Sequence, residues 1–354
     1  MTDMASRIAG KRGAIVRNQA FWGVVAIVVL LAINLIADPG YLSIGYSDGR
    51  LSGNLIDILR AAAPILMIAV GMCLVVATGG IDLSVGSIMV VAGAVTMELL
   101  SSMNTPDSLG NAALTIALAL GIATALGAVN GILVSVVGLQ PFISTLVMML
   151  AGRGIAKVIT GGQNTTADNE QVEWLANGYI LGLPVVFLLS VVIVVLVLML
   201  VRRSALGLML EAIGMDSRAS RLAGVKRRNL QLTVYSVSGL LAGIAGVFAT
   251  ASVMTVDVSR TGYQLELDAI LAVVIGGTSL AGGKFSIGGA VIGGLLIATL
   301  DKTVVFLGIP ASATPAFKAI VIVALCLLQS ERVRSLFRQR RALRAQSQKE
   351  AVPA

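Results

Sequence analysis

The chain has 354 residues, 56% of them hydrophobic and only 12% charged, with a mean hydropathy of +0.92. A soluble globular protein carries about 25% charged residues, so the surplus apolar surface must face lipid, and an all-α, polytopic helical membrane protein is expected. The chain has no histidine, a net charge of +8 and two cysteines, Cys73 and Cys326, both inside apolar runs. This composition rules out Ser-His-Asp catalysis, histidine metal sites and histidine proton relays, and gives no support to a disulfide framework or zinc cluster. No cofactor and no nucleic-acid partner are expected.

A helix needs about 20 mostly apolar residues to cross the hydrocarbon core. Ten segments qualify in chain order: 21–37, 61–78, 83–103, 112–137, 141–160, 180–201, 230–252, 267–281, 285–307 and 316–329. The first follows Lys11, Arg12 and Arg17 and ends at Ala37-Asp38-Pro39-Gly40. It has no small-x-small cleavage site, so it reads as an uncleaved span. Lys and Arg concentrate before this span, in 202–229, at Lys284 and after residue 330, whereas the intervening external pieces hold only Arg50, Arg60 and Arg260. Because basic residues are retained on the cytoplasmic side, both termini are expected inside, with an even number of spans. The chain then divides into a basic cytoplasmic tail (1–20), a membrane domain (21–329) and a second basic tail (330–354).

The external segments are acidic, with Asp38, Asp48, Asp57, Asp107, Asp168, Glu170, Glu173, Asp257, Glu266 and Asp268. Loop solvation accounts for such residues; a docking rim for a partner of opposite charge is the alternative. One cytoplasmic loop is sizeable, 202–229. In it Ala212, Ala219, Leu222 and Ala223 recur at roughly helical spacing, which predicts a short amphipathic helix at the membrane surface. Such a helix could meet anionic lipid or dock a cytoplasmic partner.

Two Gly-interrupted stretches resemble each other, Val76 to Gly86 around Gly79-Gly80, and Val274 to Gly288 around Gly276-Gly277 and Gly282-Gly283. Paired breaks of this kind recur along transporter paths. Asp82 follows the first break and is expected to cap the next helix. Arg153 and Lys157, four residues apart, share a helix face and either line a cavity or snorkel to the interface. Asp301-Lys302 poses the same choice. Gly127-x-x-x-Gly131, Gly239-x-x-x-Gly243 and Gly289-x-x-x-Gly293 predict close helix contacts.

Several motifs fail on inspection. Gly45-Tyr46-Ser47-Asp48-Gly49 has the spacing of a hydrolase elbow but no histidine to serve it. The run to Lys284 has Thr278 where a phosphate loop needs Gly, and Phe285 in place of Ser/Thr. Energy for uphill transport must therefore come from an ion gradient or another subunit. Asn164-Thr165-Thr166 is a glycosylation sequon of a kind that arises readily by chance.

The runs Ala77-Thr78-Gly79-Gly80-Ile81-Asp82-Leu83-Ser84-Val85-Gly86, Asn130-Gly131-Ile132-Leu133-Val134, Gln140-Pro141-Phe142-Ile143-Ser144-Thr145-Leu146, Gly152-Arg153-Gly154, Gly207 to Gly224, and Glu266 to Leu280 are similar, in order, to the membrane subunits of bacterial monosaccharide ABC importers, the ribose-type permeases. The likeness spans residues 50–330. Arg60 to Pro64 and Leu265 to Leu280 resemble most the galactofuranose-importer type. The resemblance implies a multi-pass inner-membrane permease subunit, not itself an enzyme, that carries a pentose or hexose. It also implies a cytoplasmic ATP-binding subunit, a periplasmic sugar-binding protein, and a second permease, either identical or paralogous. On the family pattern Glu211, Gly214, Ala219 and Gly224 belong to the loop that couples to the ATPase. The matching runs also supply the candidates for translocation path or gating: Gly79, Gly80, Asp82, Asn130, Gln140, Arg153, Glu266 and Asp268. Lys284-Phe285 departs from the family pattern, so Lys284 receives no substrate role. Two other readings stand beside this one: an ABC permease for another small polar solute, and an ion-coupled carrier with Asp301 as its membrane carboxylate.

Overall fold

A computed structural model describes residues 19–47, 49–103 and 107–329; the tails 1–18 and 330–354 lie outside the described residues, as does Asp48. The chain opens with α1 (Gln19–Ala37), a hairpin of β1 (Gly45–Ser47) and β2 (Arg50–Ser52), α2 (Asn54–Ala77) and α3 (Val85–Met103). Next come α4 (Leu109–Ile132), extended by a π-helical turn (Leu133–Val137), α5 (Pro141–Ile159), β3 (Thr165–Thr166), α6 (Glu170–Asn177) and a hairpin of β4 (Tyr179–Ile180) and β5 (Leu183–Pro184). The second half runs α7 (Val185–Arg203), α8 (Leu206–Met215), α9 (Ser217–Leu222), α10 (Arg227–Ala251), β6 (Thr255–Val256), α11 (Leu265–Ile275), α12 (Ile287–Phe306) and α13 (Thr314–Gln329). Antiparallel pairing of Thr165 with Val256 ties the loop after α5 to the loop after α10.

Among the described residues, eight helices rather than ten are long and apolar enough to span a bilayer: α1 to α5, α7, α10 and α12. The segments expected at 267–281 and 316–329 form the shorter helices α11 and α13. With 11 residues α11 rises about 16 Å, roughly half of the hydrocarbon core. It stops where Gly277 turns to φ +93°, a conformation that suits glycine. The 202–229 loop forms two helices instead of one. Asp216 separates them, accepting hydrogen bonds from Arg218 N (2.8 Å) and Ala219 N (3.1 Å) to cap α9.

The helices form two shells. α2 and α3 have 78% of their spanning windows buried and are central, whereas α1 and α7, at 17% and 22%, present apolar faces outward. The exposed Val28, Val147, Leu196 and Leu200 suit hydrocarbon. Without a hydrophobic drive between helices in lipid, association rests on close packing at small residues, and the three glycine motifs supply it. Gly239 packs on Gly127, so that a Cβ on Gly239 would stand 2.8 Å from the Gly127 Cα, and Gly243 abuts Ala123. These contacts pair α4 with α10 in antiparallel fashion. Gly289 and Gly293 on α12 lie against the backbone of Gly276 and Ala272, which folds α11 back on α12. Gly289→Val would drive a side chain into the Gly276 carbonyl, and is expected to cost about 3 kcal/mol or more. Thermal unfolding of the detergent-solubilised chain measures this; an unchanged melting temperature would mean that α11 does not need this approach.

Candidate functional site

At one end of the bundle three backbone segments converge. α2 ends at Ala77 because Thr78 and Gly79 turn the chain, Gly79 at φ +79°. The loop after α11 carries Gly282 and Gly283, both at positive φ. Gly283 N donates to the Ala77 carbonyl at 3.0 Å, and Gly282 lies against Gly79, its Cβ position 2.9 Å from the Gly79 Cα. The two Gly-interrupted stretches, similar in sequence, are thus in direct contact. Gly214 of α8 completes the junction, packed on both the Ala77 carbonyl and the Gly283 backbone. Glu211, one turn earlier, lines a groove of about 360 Å³ with Arg202, Phe285 and Ser286. Ala219 lies on α9, and Gly224, φ +84°, turns the chain after it. This end also carries Arg202, Arg203, Arg218, Arg221, Lys226, Arg227 and Arg228 and is the basic end.

Above the junction lies a buried polar cluster. Asp82 is fully buried. Its Oδ1 accepts from Ser84 N at 3.0 Å and Ser84 Oγ at 2.5 Å, and its Oδ2 accepts from Ser238 Oγ of α10 at 2.8 Å. The capping expectation is met in modified form: Asp82 holds the amide just before the first residue of α3, and also ties that turn to α10. Asn130 of α4, buried, donates to Ser84 Oγ at 2.8 Å. Ser87 Oγ reaches both the Ser84 carbonyl (2.8 Å) and the Met148 carbonyl of α5 (3.3 Å). The Tyr235 hydroxyl borders Gly80 and is buried with no hydrogen-bond partner among the described residues, a costly arrangement.

Farther from the basic end, Arg153 of α5 donates to the carbonyls of Thr261 and Gly262, both at 2.9 Å. This resolves its ambiguity, since Arg153 faces protein while Lys157 is exposed. Glu266, at the start of α11, packs against Gly86, and its Oε2 is buried without a hydrogen bond among the described residues. Gly152 packs on Ser87, so polar groups continue from Asn130 and Asp82 through Ser87 to Arg153 and Glu266.

Two of the candidates stand apart from this column. Gln140 precedes α5, exposed, at the mouth of a separate cavity. Asp268 binds Lys318 at 2.8 Å, and Lys318 also meets Asp301 at 2.7 Å; the neighbouring Lys302 reaches Asp57 of α2 at 2.7 Å. Asp301, the carboxylate that an ion-coupled carrier would use, is thus ion-paired.

Sequence reading missed Ser238 and Tyr235. Both lie within a span otherwise dominated by small and apolar residues, three positions apart and hence on one face of α10. That spacing is the available signal, but only the packing of α10 on the Asp82 turn gives it meaning.

Comparison with known proteins follows the same direction. The family model described as branched-chain amino acid transport system / permease component matches residues 54–328. The chain is 50% identical to the fructose import permease protein of Bifidobacterium longum, over 92% of each chain. It is 40% identical to the galactofuranose transporter permease protein of Escherichia coli, over 89% of this chain and 90% of the relative. The ribose import permease protein of Escherichia coli is 37% identical, over 87% of this chain and 92% of the relative. No solved structure matches the chain.

Proposed function

Because the chain belongs to the family of branched-chain amino acid transport system permease components, as one of its ribose-type sugar ABC permeases, we propose that it forms the membrane path for a monosaccharide, a pentose or hexose. Permeases of this family are multi-pass subunits of the bacterial inner membrane and are not themselves enzymes. The sugar is delivered by a periplasmic binding protein, and import is driven by a separate cytoplasmic ATPase. The path is completed by a second permease, an identical copy or a paralogue. The basic end faces the cytoplasm, in keeping with retention of Lys and Arg there.

The observation that carries this reading is the three-way junction of Gly79, Gly214 and Gly282-Gly283. A helix lodged on two interrupted membrane segments at once can convert a push from outside the bundle into movement of both. Such a rigid-body shift is the motion an ATPase-driven transporter needs. Glu211, Gly214, Ala219 and Gly224 are its coupling residues. Asp82, Asn130, Arg153 and Glu266 flank the path, Gly79 and Gly80 permit gating, and Gln140 and Asp268 lie outside the column. The relatives' substrates make fructose, galactofuranose and ribose the sugars to test first.

Glu211→Lys reverses charge on the exposed groove beside the junction. It is expected to abolish ATP-driven sugar uptake in reconstituted vesicles and to release the ATPase subunit on purification, while the chain stays folded. Normal uptake by this variant would refute the coupling role of the loop.

A further inference from the structure

A cavity of about 810 Å³ at the basic end opens between the π-helical turn that extends α4, the start of α5 and the start of α10. Arg221, Lys226, Arg227 and Arg228 line it, all four exposed, and none has an acidic ion-pair partner among the described residues. Arg227 and Arg228 occupy the first turn of α10, which has no acidic residue and no side-chain cap. Cations at a helix N-terminus oppose the macrodipole, and an anion bound there favours both. A second observation points the same way. Gln231, also lining the cavity, is only 2% exposed, and among the described residues its amide makes no hydrogen bond. Its amide therefore borders the same space as the four cations, where a bound anion can accept from it.

The cavity is not wholly polar. Val134, Leu139 and Pro141 line it, and their chain neighbours Val136, Val137 and Phe142 are apolar and 44%, 59% and 48% exposed. From this juxtaposition we infer that the cavity binds an anionic phospholipid. Its headgroup phosphate lies among Arg227, Arg228 and Gln231, and its acyl chains lie along α4 and α5. Free phosphate shares the headgroup chemistry but leaves the apolar wall uncovered. Juxtamembrane basic clusters attract anionic headgroups by about 1 kcal/mol for each Lys or Arg. The inference uses the orientation proposed above only to name the cytoplasmic leaflet as the source.

The test reconstitutes the full chain in nanodiscs of equal phosphatidylglycerol and phosphatidylcholine, extracts it gently, and counts retained lipid by native mass spectrometry. Wild type is expected to retain phosphatidylglycerol in preference. Arg227→Gln with Arg228→Gln should lower that retention about thirtyfold, and Arg227→Lys with Arg228→Lys should preserve most of it. Gln231→Leu, which alters no charge, should lower it several-fold and serves if the double glutamine variant fails to fold. Equal retention of both lipids, or retention unchanged in Gln231→Leu and the glutamine variant, would overturn the assignment. So would stabilisation by inorganic phosphate in phosphatidylcholine alone that the same glutamine substitutions abolish, which would make the site a free-anion site. ATPase co-purification is measured in parallel. Its loss with lipid retention intact would identify a protein contact and overturn the lipid reading, whereas lipid loss with the ATPase retained supports it whatever sugar is carried.

Discussion

Gly214→Val is expected to uncouple transport while leaving the membrane bundle intact. A Cβ at this position would collide with the Ala77 carbonyl and the Gly283 backbone amide and stand 2.8 Å from the Gly283 Cα. All of these are backbone atoms, held by the Gly283 N to Ala77 O hydrogen bond at 3.0 Å; no flexible side chain can step aside. α8 must lift away from the ends of α2 and α11, and the lever between loop and membrane is lost. Coupling networks transmit about 2 kcal/mol, so uptake should fall roughly thirtyfold. The central packing of α2, α3 and α10 lies away from the substitution, and the melting temperature should change little. Uptake and ATPase rate are measured together in proteoliposomes holding the full transporter. Continued ATP hydrolysis with sugar import at the wild-type rate would show that the junction does not transmit movement. Gly214→Ala gives a graded control, since its lone Cβ meets the same atoms but reaches no farther.

The second large effect is expected at Asp82. Replacing it by Ala strands three donors, Ser84 N, Ser84 Oγ and Ser238 Oγ, in a fully buried site. At about 1–3 kcal/mol for each unsatisfied buried group, the loss is several kcal/mol, enough to lower the folded fraction in the membrane sharply. Asp82→Asn keeps one acceptor oxygen for the Ser84 pair and forces only Ser238 to reorient, so its cost should be much smaller. Melting curves of both variants in detergent check this order. If Asp82→Ala melts within about 2 °C of wild type, the carboxylate is not a structural tie between α3 and α10. If that variant also loses uptake, its place is in the path itself.

The membrane class, most helices and the glycine contacts were legible because each rests on local information. Hydropathy over about 20 residues reports the solvent of a helix, and Gly-x-x-x-Gly places two small residues on one face. The pairing of Gly127 with Gly239, by contrast, is not local. Any of the three motifs satisfies the same packing rule, and nothing in their sequences states which pairs with which.

The ten apolar segments and the eight long apolar helices among the described residues differ where hydropathy and conformation part. Segment 267–281 is mostly apolar, yet the left-handed turn at Gly277 and the contact of Gly276 with Gly289 end α11 after about half the length of a crossing. The likeness between the Gly79-Gly80 and Gly276-Gly277 stretches was visible in sequence, but not that the loops meet. Arg153 and Lys157 show the same limit. Spacing placed them on one face, and only the position of the Thr261 and Gly262 carbonyls separated a half-buried, hydrogen-bonded guanidinium from an exposed amine.

By itself, then, the sequence determined the solvent, the class of fold, the family and the absence of a phosphate-binding loop, since these depend on residue type and short-range order. Tertiary structure alone decided that Asp82 would be met by Ser238, 156 residues away, that Lys318 would bridge Asp268 and Asp301, and that Gly214 would seat on both helix breaks. Contacts between distant segments depend on how helix faces close against one another, and that closure is a property of the packed bundle rather than of any stretch within it.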